Sequence, residues 1–183
     1  YPASGVTPPE FATLQEAYDS LSGASGTYYL VQVKHGVYPA ELSLGAEALR
    51  VAWIAETGAN RVTGLEGVVL SGSANGYDPP FGLEFGDDTL FNGFVVDGAS
   101  TYPVAPAVRT FAVNGASRIC LLNTIIRYWS PYFDWLSPYT SSAICNEGAI
   151  LRLLHCTVAR SVASVTVPGS NAAVIENKTG STS

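Results

Sequence analysis

The chain has 183 residues, of which 47% are hydrophobic, and is long enough to bury the core of one domain. Only 13% of the residues are charged and the nine Lys and Arg residues are scattered through a chain of net charge −6, which argues against a nucleic-acid partner because phosphate neutralisation requires clustered basic side chains. Since no apolar run approaches the roughly 20 residues that cross a bilayer, no membrane span is expected either.

The first predicted element is a helix over 13–21, within an N-terminal segment 1–26. Its apolar residues recur at i, i+3, i+4 and i+7 and are Leu14, Ala17, Tyr18 and Leu21. Thr13 and Glu16 have the spacing of a capping box, in which the two side chains satisfy free amide groups at the start of a helix. The spacing predicts one amphipathic helix whose apolar face covers the end of the following structure.

Beyond the helix, short β-rich runs are separated by Gly, Asn, Asp and Pro. The predicted strands cover 28–34, 41–44, 49–54, 68–70, 89–96, 109–113, 119–126, 149–158, 163–167 and 172–175. We expect a strand-rich body over 27–177 and a tail over 178–183. Loop insertions are predicted near 71–82, 98–107 and 127–142, where specificity or assembly contacts commonly lie.

Four of the β-rich runs share one polar position. It is filled by Asn92, Asn123, His155 and Asn177, which are 31, 32 and 22 residues apart. Such spacing is typical of a solenoid with coils of about 22 residues, two of which carry insertions. Because asparagine tolerates the left-handed backbone of a tight bend and its amide can bond the next coil, we predict a structural ladder, with the histidine as a hydrogen-bonded turn residue.

Two segments carry a resemblance to a known family. The runs FATLQEAY at 11–18 and YLVQVKHGVY at 29–38 resemble the opening of pectin lyase-like right-handed parallel β-helix proteins, which include pectinesterases and many phage tailspikes. The resemblance implies an all-β, single-stranded right-handed parallel β-helix whose N-terminal end is closed by the helix. It also implies self-association, often as a trimer.

The same family contains polysaccharide lyases, hydrolases and esterases, so catalytic residues have to be considered. The QDTL motif of pectinesterases is absent from the chain. If the chain is an enzyme, its candidate catalytic residues are Asp134, Asp97, Arg109 and Arg127. Asp87 and Asp88 follow Gly86, and Asp97 precedes Gly98, which is more typical of turns than of calcium ligands.

The three cysteines are Cys120, Cys145 and Cys156. Their spacing matches no zinc template and an odd number cannot pair completely. We predict three buried thiols that pack as small hydrophobic side chains, with one disulfide plus a free thiol as the alternative. Neither a metal nor another cofactor is expected.

The loop near 127–142 is unusually aromatic. Its candidate binding or interface residues are Tyr128, Trp129, Tyr132, Phe133, Trp135 and Tyr139. Aromatic rings stack on sugars, and Tyr and Trp are also enriched at protein interfaces. Three alternatives remain open for this loop: packing on the chain itself, a subunit interface, or a glycan platform.

These features favour a non-enzymatic structural or adhesive module of a virion or cell surface, such as a capsid decoration, fibre or tailspike-like domain. Its expected partners are further copies of itself and other surface or capsid proteins, together with glycans as a further partner. An extracellular or virion-surface location follows. The alternatives are a polysaccharide-active enzyme of the pectin lyase-like class and a carbohydrate-binding module.

Overall fold

The computed structural model describes residues 9–21, 27–43, 49–56, 67–72, 82–98, 107–112, 117–127, 142–159 and 175–178. These residues form one short helix and fourteen strands. The elements in chain order are α1 (Leu14–Asp19), β1 (Tyr28–Val33), β2 (Gly36–Pro39), β3 (Arg50–Ala55), β4 (Val68–Ser71), β5 (Leu83–Phe85), β6 (Thr89–Asn92), β7 (Val95–Asp97), β8 (Val108–Phe111), β9 (Arg118–Leu122), β10 (Ile125–Arg127), β11 (Ile144–Glu147), β12 (Ile150–Leu154), β13 (Thr157–Ala159) and β14 (Ile175–Lys178).

The strands form three sheets in which every pairing is parallel. The first sheet has the order β1-β3-β6-β9-β12, the second β2-β4-β7-β10-β13, and the third β5-β8-β11-β14. From β3 onward the strands belong in turn to the first, the second and the third sheet, and we call each such circuit a pass. The earliest pass begins with β1 and β2 and has no full strand in the third sheet. In the earliest pass, Leu42 makes a single parallel bridge to Leu83 of the third sheet. The prediction of an all-β chain with little helix is confirmed.

The core lies between the three sheets and is built from side chains that alternate along each strand. In β3, for example, Val51, Trp53 and Ala55 are buried while the residues between them are half-exposed. This period of two is the pattern of a strand with one face on a core. Near the centre, the ring of Phe91 stacks on Phe94 at 4.0 Å between centroids and tilts against Phe85 at 5.0 Å.

Helix α1 forms for the predicted reasons but is shorter than predicted. The Thr13 hydroxyl accepts a hydrogen bond from the Glu16 amide at 3.1 Å, whereas the Glu16 carboxylate accepts from the amide of Ala12. Of the predicted apolar face, Leu14, Ala17 and Tyr18 are buried and Leu21 packs against the core with part of its surface exposed. The helix ends at Asp19 because Ser20 caps it.

Two polar side chains of α1 attach it to the first pass of the chain. The side-chain amide of Gln15 accepts a hydrogen bond from the Ser43 N–H at 2.7 Å and donates one to the Ser43 carbonyl at 3.1 Å. It thus makes the two backbone hydrogen bonds that a neighbouring strand would make to Ser43. The Tyr18 hydroxyl accepts from the Leu49 amide at 3.2 Å. Burial raises the pKa of Tyr18, and the bond from Leu49 offsets part of that effect.

Three predicted strands are each divided in two by a bend. The predicted runs 89–96, 119–126 and 149–158 become β6 and β7, β9 and β10, and β12 and β13. The backbone takes a positive φ at Gly93 (91°), Asn123 (48°) and His155 (53°), which a strand does not accommodate. The chain therefore passes from the first sheet to the second at each of these residues.

The remaining strand predictions have mixed outcomes. The predicted strand 41–44 is reduced to the bridge at Leu42, and β2 was not predicted because it begins with glycine and ends with proline, two residues depleted in strands. The predicted strand 163–167 and residues 172–174 lie outside the described residues. Within the described part of the chain, no helix is long and apolar enough to cross a membrane.

Candidate functional site

The predicted ladder is present in part, at the bends between the first and second sheets. Asn123 Nδ2 donates to Asn92 Oδ1 at 3.2 Å. However, Asn92 pairs with Leu122 in the register of β6 and β9, so the residue equivalent to Asn123 is Gly93. The predicted repeat is thus displaced by one residue in its first copy, and the bend is occupied by Gly93, Asn123 and His155 in successive passes.

Asn177 lies in a different sheet from the other predicted ladder residues. It is in β14 of the third sheet and pairs with Asn146 of β11. Asn146 Nδ2 donates to Asn177 Oδ1 and to the Ala149 carbonyl, both at 3.0 Å, and its Oδ1 accepts from the Thr110 hydroxyl at 2.7 Å. Sequence analysis missed this second ladder, although the spacing of 31 residues between Asn146 and Asn177 was available as a signal.

The bend at Asn123 yields a direct prediction about backbone strain. We expect Asn123→Val to lower the free energy of unfolding by about 1–2 kcal/mol relative to Asn123→Gly, because a β-branched residue is strained at positive φ and glycine is not. Both variants lose the side-chain bond to Asn92, so that loss cancels in their difference. Urea denaturation followed by fluorescence measures it. Equal stability of the two variants would contradict a left-handed backbone at this position.

Two of the four candidate catalytic residues lie together in the second sheet. Asp97 ends β7 and pairs in register with Arg127, which ends β10. Nε and Nη2 of Arg127 both lie 2.7 Å from Asp97 Oδ2. The two side chains therefore form an ion pair between neighbouring strands. Asp134 lies outside the described residues.

Arg109, the remaining candidate, lies on β8 of the third sheet between two glutamates. Its Nη1 lies 3.1 Å from Glu84 Oε1, and its Nη2 lies 2.8 Å from Glu147 Oε2. Burial by itself lowers the pKa of Arg109, but the hydrogen bonds and negative charges of Glu147 and Glu84 outweigh burial and raise it. We refer to Glu84, Arg109 and Glu147 as the third-sheet charge cluster.

Sequence analysis did not identify the two glutamates of this cluster. Glu84 and Glu147 are 25 and 38 positions away from Arg109 in the sequence. The register of β5, β8 and β11 brings them next to it. Cys145 on β11 also contacts Glu147, with 3.6 Å between Sγ and Oε1. A signal was present in β5, where Glu84 stands between the core residues Leu83 and Phe85 and so points away from the core.

The chemistry of these groups is that of cross-strand ion pairing. Glycoside hydrolysis uses two carboxyl groups on either side of the scissile bond, one as acid and one as base or nucleophile. Here Asp97, Glu84 and Glu147 are each bonded to an arginine of a neighbouring strand. Among the described residues, no group of three or more His, Cys, Asp and Glu is arranged to hold a metal ion.

Asp87 and Asp88 lie in the bend between β5 and β6, as predicted for turn residues. Asp87 has a positive φ of 50° and its Oδ2 accepts from Arg50 Nε at 3.1 Å. That hydrogen bond and the Asp87 charge raise the pKa of Arg50. The guanidinium of Arg50 also lies over the ring of Tyr28, 5.2 Å from its centroid, and Asp88 Oδ1 accepts from the Arg118 amide.

Among the described residues, the outer face of the first sheet carries apolar side chains on each of its strands. On every one of its five strands, apolar side chains alternate with the core residues and point away from the core. Leu30 is 75% exposed, and Ile150 and Leu154 are 49% and 48% exposed. The other apolar members, which are half-buried, are Ala52, Ile54, Leu90, Cys120 and Leu122. We call this surface the apolar outer face.

All three cysteines are free thiols, which agrees with the first of the two predicted alternatives. Cys145 is buried, whereas Cys120 and Cys156 are half-buried, so burial is less complete than predicted. Burial raises the pKa of Cys120, the neighbouring Cys156 adds to the rise, and Arg152 opposes it. The six aromatic candidates between 128 and 139 lie outside the described residues, so their three alternatives stay predictions.

No protein-family model, curated protein or solved structure matches the chain. The resemblance to pectin lyase-like proteins therefore stays a prediction, which depends on residues 11–18 and 29–38.

Proposed function

We propose that the chain is a right-handed parallel β-helix of the pectin lyase-like type and serves as a structural or adhesive module of a virion or cell surface. The observation that carries the proposal is the apolar outer face, which extends over all five strands of the first sheet. The largest apolar patch on a soluble protein often has a function in binding, so this face is expected to serve in association.

The arrangement of strands supports the helical architecture. From β6 onward, successive strands belong in turn to the first, second and third sheets, and each pairs in parallel with the strand of the preceding pass. A chain that winds around one core gives this pattern. Helix α1 packs against the earliest pass, where an open end would expose strand edges to aggregation.

The charged groups support a structural role. The third-sheet charge cluster links β5, β8 and β11, and the pair of Asp97 and Arg127 links β7 to β10. Together with the Thr110–Asn146–Asn177 ladder, these contacts connect successive passes of the chain. They stiffen a scaffold and leave its outer surfaces for partners, which we propose are further copies of the chain, capsid or surface proteins, and glycans at the aromatic loop.

The proposal predicts a defined effect of charge on the apolar outer face. We expect wild-type protein to show a molar mass that rises with concentration in light scattering, and Leu90→Lys to weaken the association at least about ten-fold because a buried ammonium group lacks a partner there. Val37→Lys is the matched control, since Val37 is an exposed apolar residue on β2 of the second sheet. Its mass is expected to equal that of wild type.

Incubation with bacterial and plant polysaccharides tests the non-enzymatic part of the proposal. Polysaccharide chains of unchanged length are expected, with or without bound protein. Shortened chains would contradict the proposal and favour an enzyme of the pectin lyase-like class. A wild-type mass that stays monomeric at every concentration, without glycan binding, would contradict the structural and adhesive role.

A further inference from the structure

We infer that the edge strand β12 binds an extended segment of a partner protein as an additional parallel strand of the first sheet, and that this segment carries a carboxylate between two apolar side chains. The inference goes beyond the proposed function, because it concerns the edge of the first sheet and not its apolar outer face. Three features of β12 lead to this occupant: unpaired backbone groups, incompletely covered core residues and the charge of Arg152.

The backbone of β12 offers hydrogen-bonding groups that no other strand uses. Among the described residues, β12 pairs with β9 on one side and with no strand on the other. Ile150 and Leu154 direct their backbone groups to the β9 side. Because successive residues of a parallel strand bond to opposite sides, the N–H and carbonyl groups of Leu151 and Leu153 point to the unpaired side. Such a row of groups is a template for a further polypeptide strand.

The core residues of β12 are less completely covered than those of the preceding pass. Leu151 and Leu153 pack against the core but are only half-buried. Their equivalents on β9, Ile119 and Leu121, are fully buried. The difference arises because β9 has a strand on each side, whereas β12 has one on a single side. A further strand with two apolar side chains at the matching positions removes this remaining apolar surface from water.

The charge of Arg152 defines what the central residue of the incoming strand has to be. Arg109 and Arg127 each contact a carboxylate that stands directly opposite on a neighbouring strand, Glu84 and Asp97 respectively. Arg152 is exposed on the outer side of the first sheet, and its guanidinium contacts no carboxylate in the described part of the chain. An incoming strand with Asp or Glu opposite Arg152 makes the same kind of cross-strand pair.

The same charge disfavours a second copy of the chain as the occupant. If two copies joined through the unpaired groups of Leu151 and Leu153 across a two-fold axis, the strands would be antiparallel and Arg152 would stand directly opposite its own equivalent. Like charges directly opposite each other destabilise a sheet. The other edge strand, β1, has Leu30 and Gln32 on its outward side and no carboxylate there. Its addition to β12 therefore leaves Arg152 without a counter-charge.

Two extended peptides test the inference. Each has a fluorophore at its N-terminus and an amide at its C-terminus; SGTVEVTGS has glutamate between two valines, and SGTVKVTGS has lysine in that place. We expect wild-type protein to bind the glutamate peptide roughly five-fold or more tightly than the lysine peptide, because opposite charges attract and like charges repel across a strand pair. Fluorescence polarisation measures the two affinities.

Charge reversal at the edge gives the most specific result. Arg152→Glu is expected to reverse the preference, so that the lysine peptide binds more tightly. Arg118→Glu is the matched control, because Arg118 is also exposed and its guanidinium contacts no carboxylate among the described residues, but it lies on β9, which has a strand on each side. This variant is expected to keep the preference of wild type.

Hydrogen exchange identifies the strand to which the peptide pairs. At saturating glutamate peptide, the amides of Leu151 and Leu153 are expected to exchange at least about ten-fold more slowly, because the added strand supplies their acceptors. Absence of peptide binding, equal binding of the two peptides, or unchanged exchange at these amides overturns the inference.

A second copy as the occupant has its own signature. Exchange at Leu151 and Leu153 that slows as the protein concentration rises, without peptide, would overturn a partner protein as the occupant. A wild-type mass that stays monomeric, without glycan binding, would instead contradict the proposed function and leave the peptide preference unaffected.

Discussion

Replacement of Phe91 by alanine is expected to lower the free energy of unfolding by about 3–5 kcal/mol. The side chain is fully buried and contacts two other aromatic rings, Phe85 and Phe94, which it keeps at centroid distances of 5.0 and 4.0 Å. Alanine removes both ring contacts and leaves a cavity that neighbouring strands cannot close, because each is held by parallel pairing on both sides. Urea denaturation monitored by tryptophan fluorescence, to which the buried Trp53 contributes, measures the change.

The adjacent residue supplies the matched control for this variant. Leu90 lies on the same strand but points to the outer face and is only half-buried. We expect Leu90→Ala to cost about 1 kcal/mol when measured at concentrations where the chain is monomeric. Similar losses for Phe91→Ala and Leu90→Ala would contradict the assignment of the two faces of β6.

The N-terminal helix was predictable because its determinants are local. Thr13, Glu16 and the apolar residues of the helix lie within one short window, so spacing alone identifies both the start and the buried face. The bends were harder to predict. At Asn123 and His155 the chain leaves the first sheet in the middle of an apolar run. Apolar residues lie on both sides of each bend, so residue type does not mark where one strand ends and the next begins.

Comparison of the repeats in the sequence could not show which of the three sheets a strand belongs to. The run around Asn177 is similar to the run around Asn123, yet it belongs to the third sheet and aligns with Asn146. Every strand of such a chain is short and apolar on one side, so local patterns do not distinguish among three sheets. Only the hydrogen-bonded register assigns a strand to one of them.

The charged pairs were beyond prediction for the same reason. Asp97 and Arg127 were both candidate residues, but their contact depends on the pairing of β7 with β10 across 30 residues. Glu84 and Glu147 were not candidates, because their contacts with Arg109 depend on the register of β5, β8 and β11. The register that joins successive passes thus determines both the ladders and the ion pairs, and it also aligns the apolar side chains into one outer face.

The third-sheet charge cluster provides a further test of that register. We expect Arg109→Leu to lower the free energy of unfolding by about 2–4 kcal/mol, between the cost of breaking a surface pair and that of breaking a fully buried one. The side chains of Glu84, Arg109 and Glu147 are 9%, 27% and 24% exposed. Without the guanidinium, the carboxylates of Glu84 and Glu147 both lose the positive charge of Arg109, and Glu84 stays buried.

The control variants separate charge from packing. Arg127→Leu removes an arginine that pairs with Asp97, whose side chain is 15% exposed and thus less buried than that of Glu84, so its loss is expected to be smaller, about 1–2 kcal/mol. Adding Glu84→Gln to Arg109→Leu is expected to recover part of the stability, because the substitution removes the buried charge and keeps the shape of the side chain. Thermal and urea unfolding of the four proteins measure these differences. The double variant could instead be less stable than Arg109→Leu alone. In that case Arg109 stabilises the protein by packing against the outer side of β5 and β11, and the ion pairs do not hold the strands of the third sheet together.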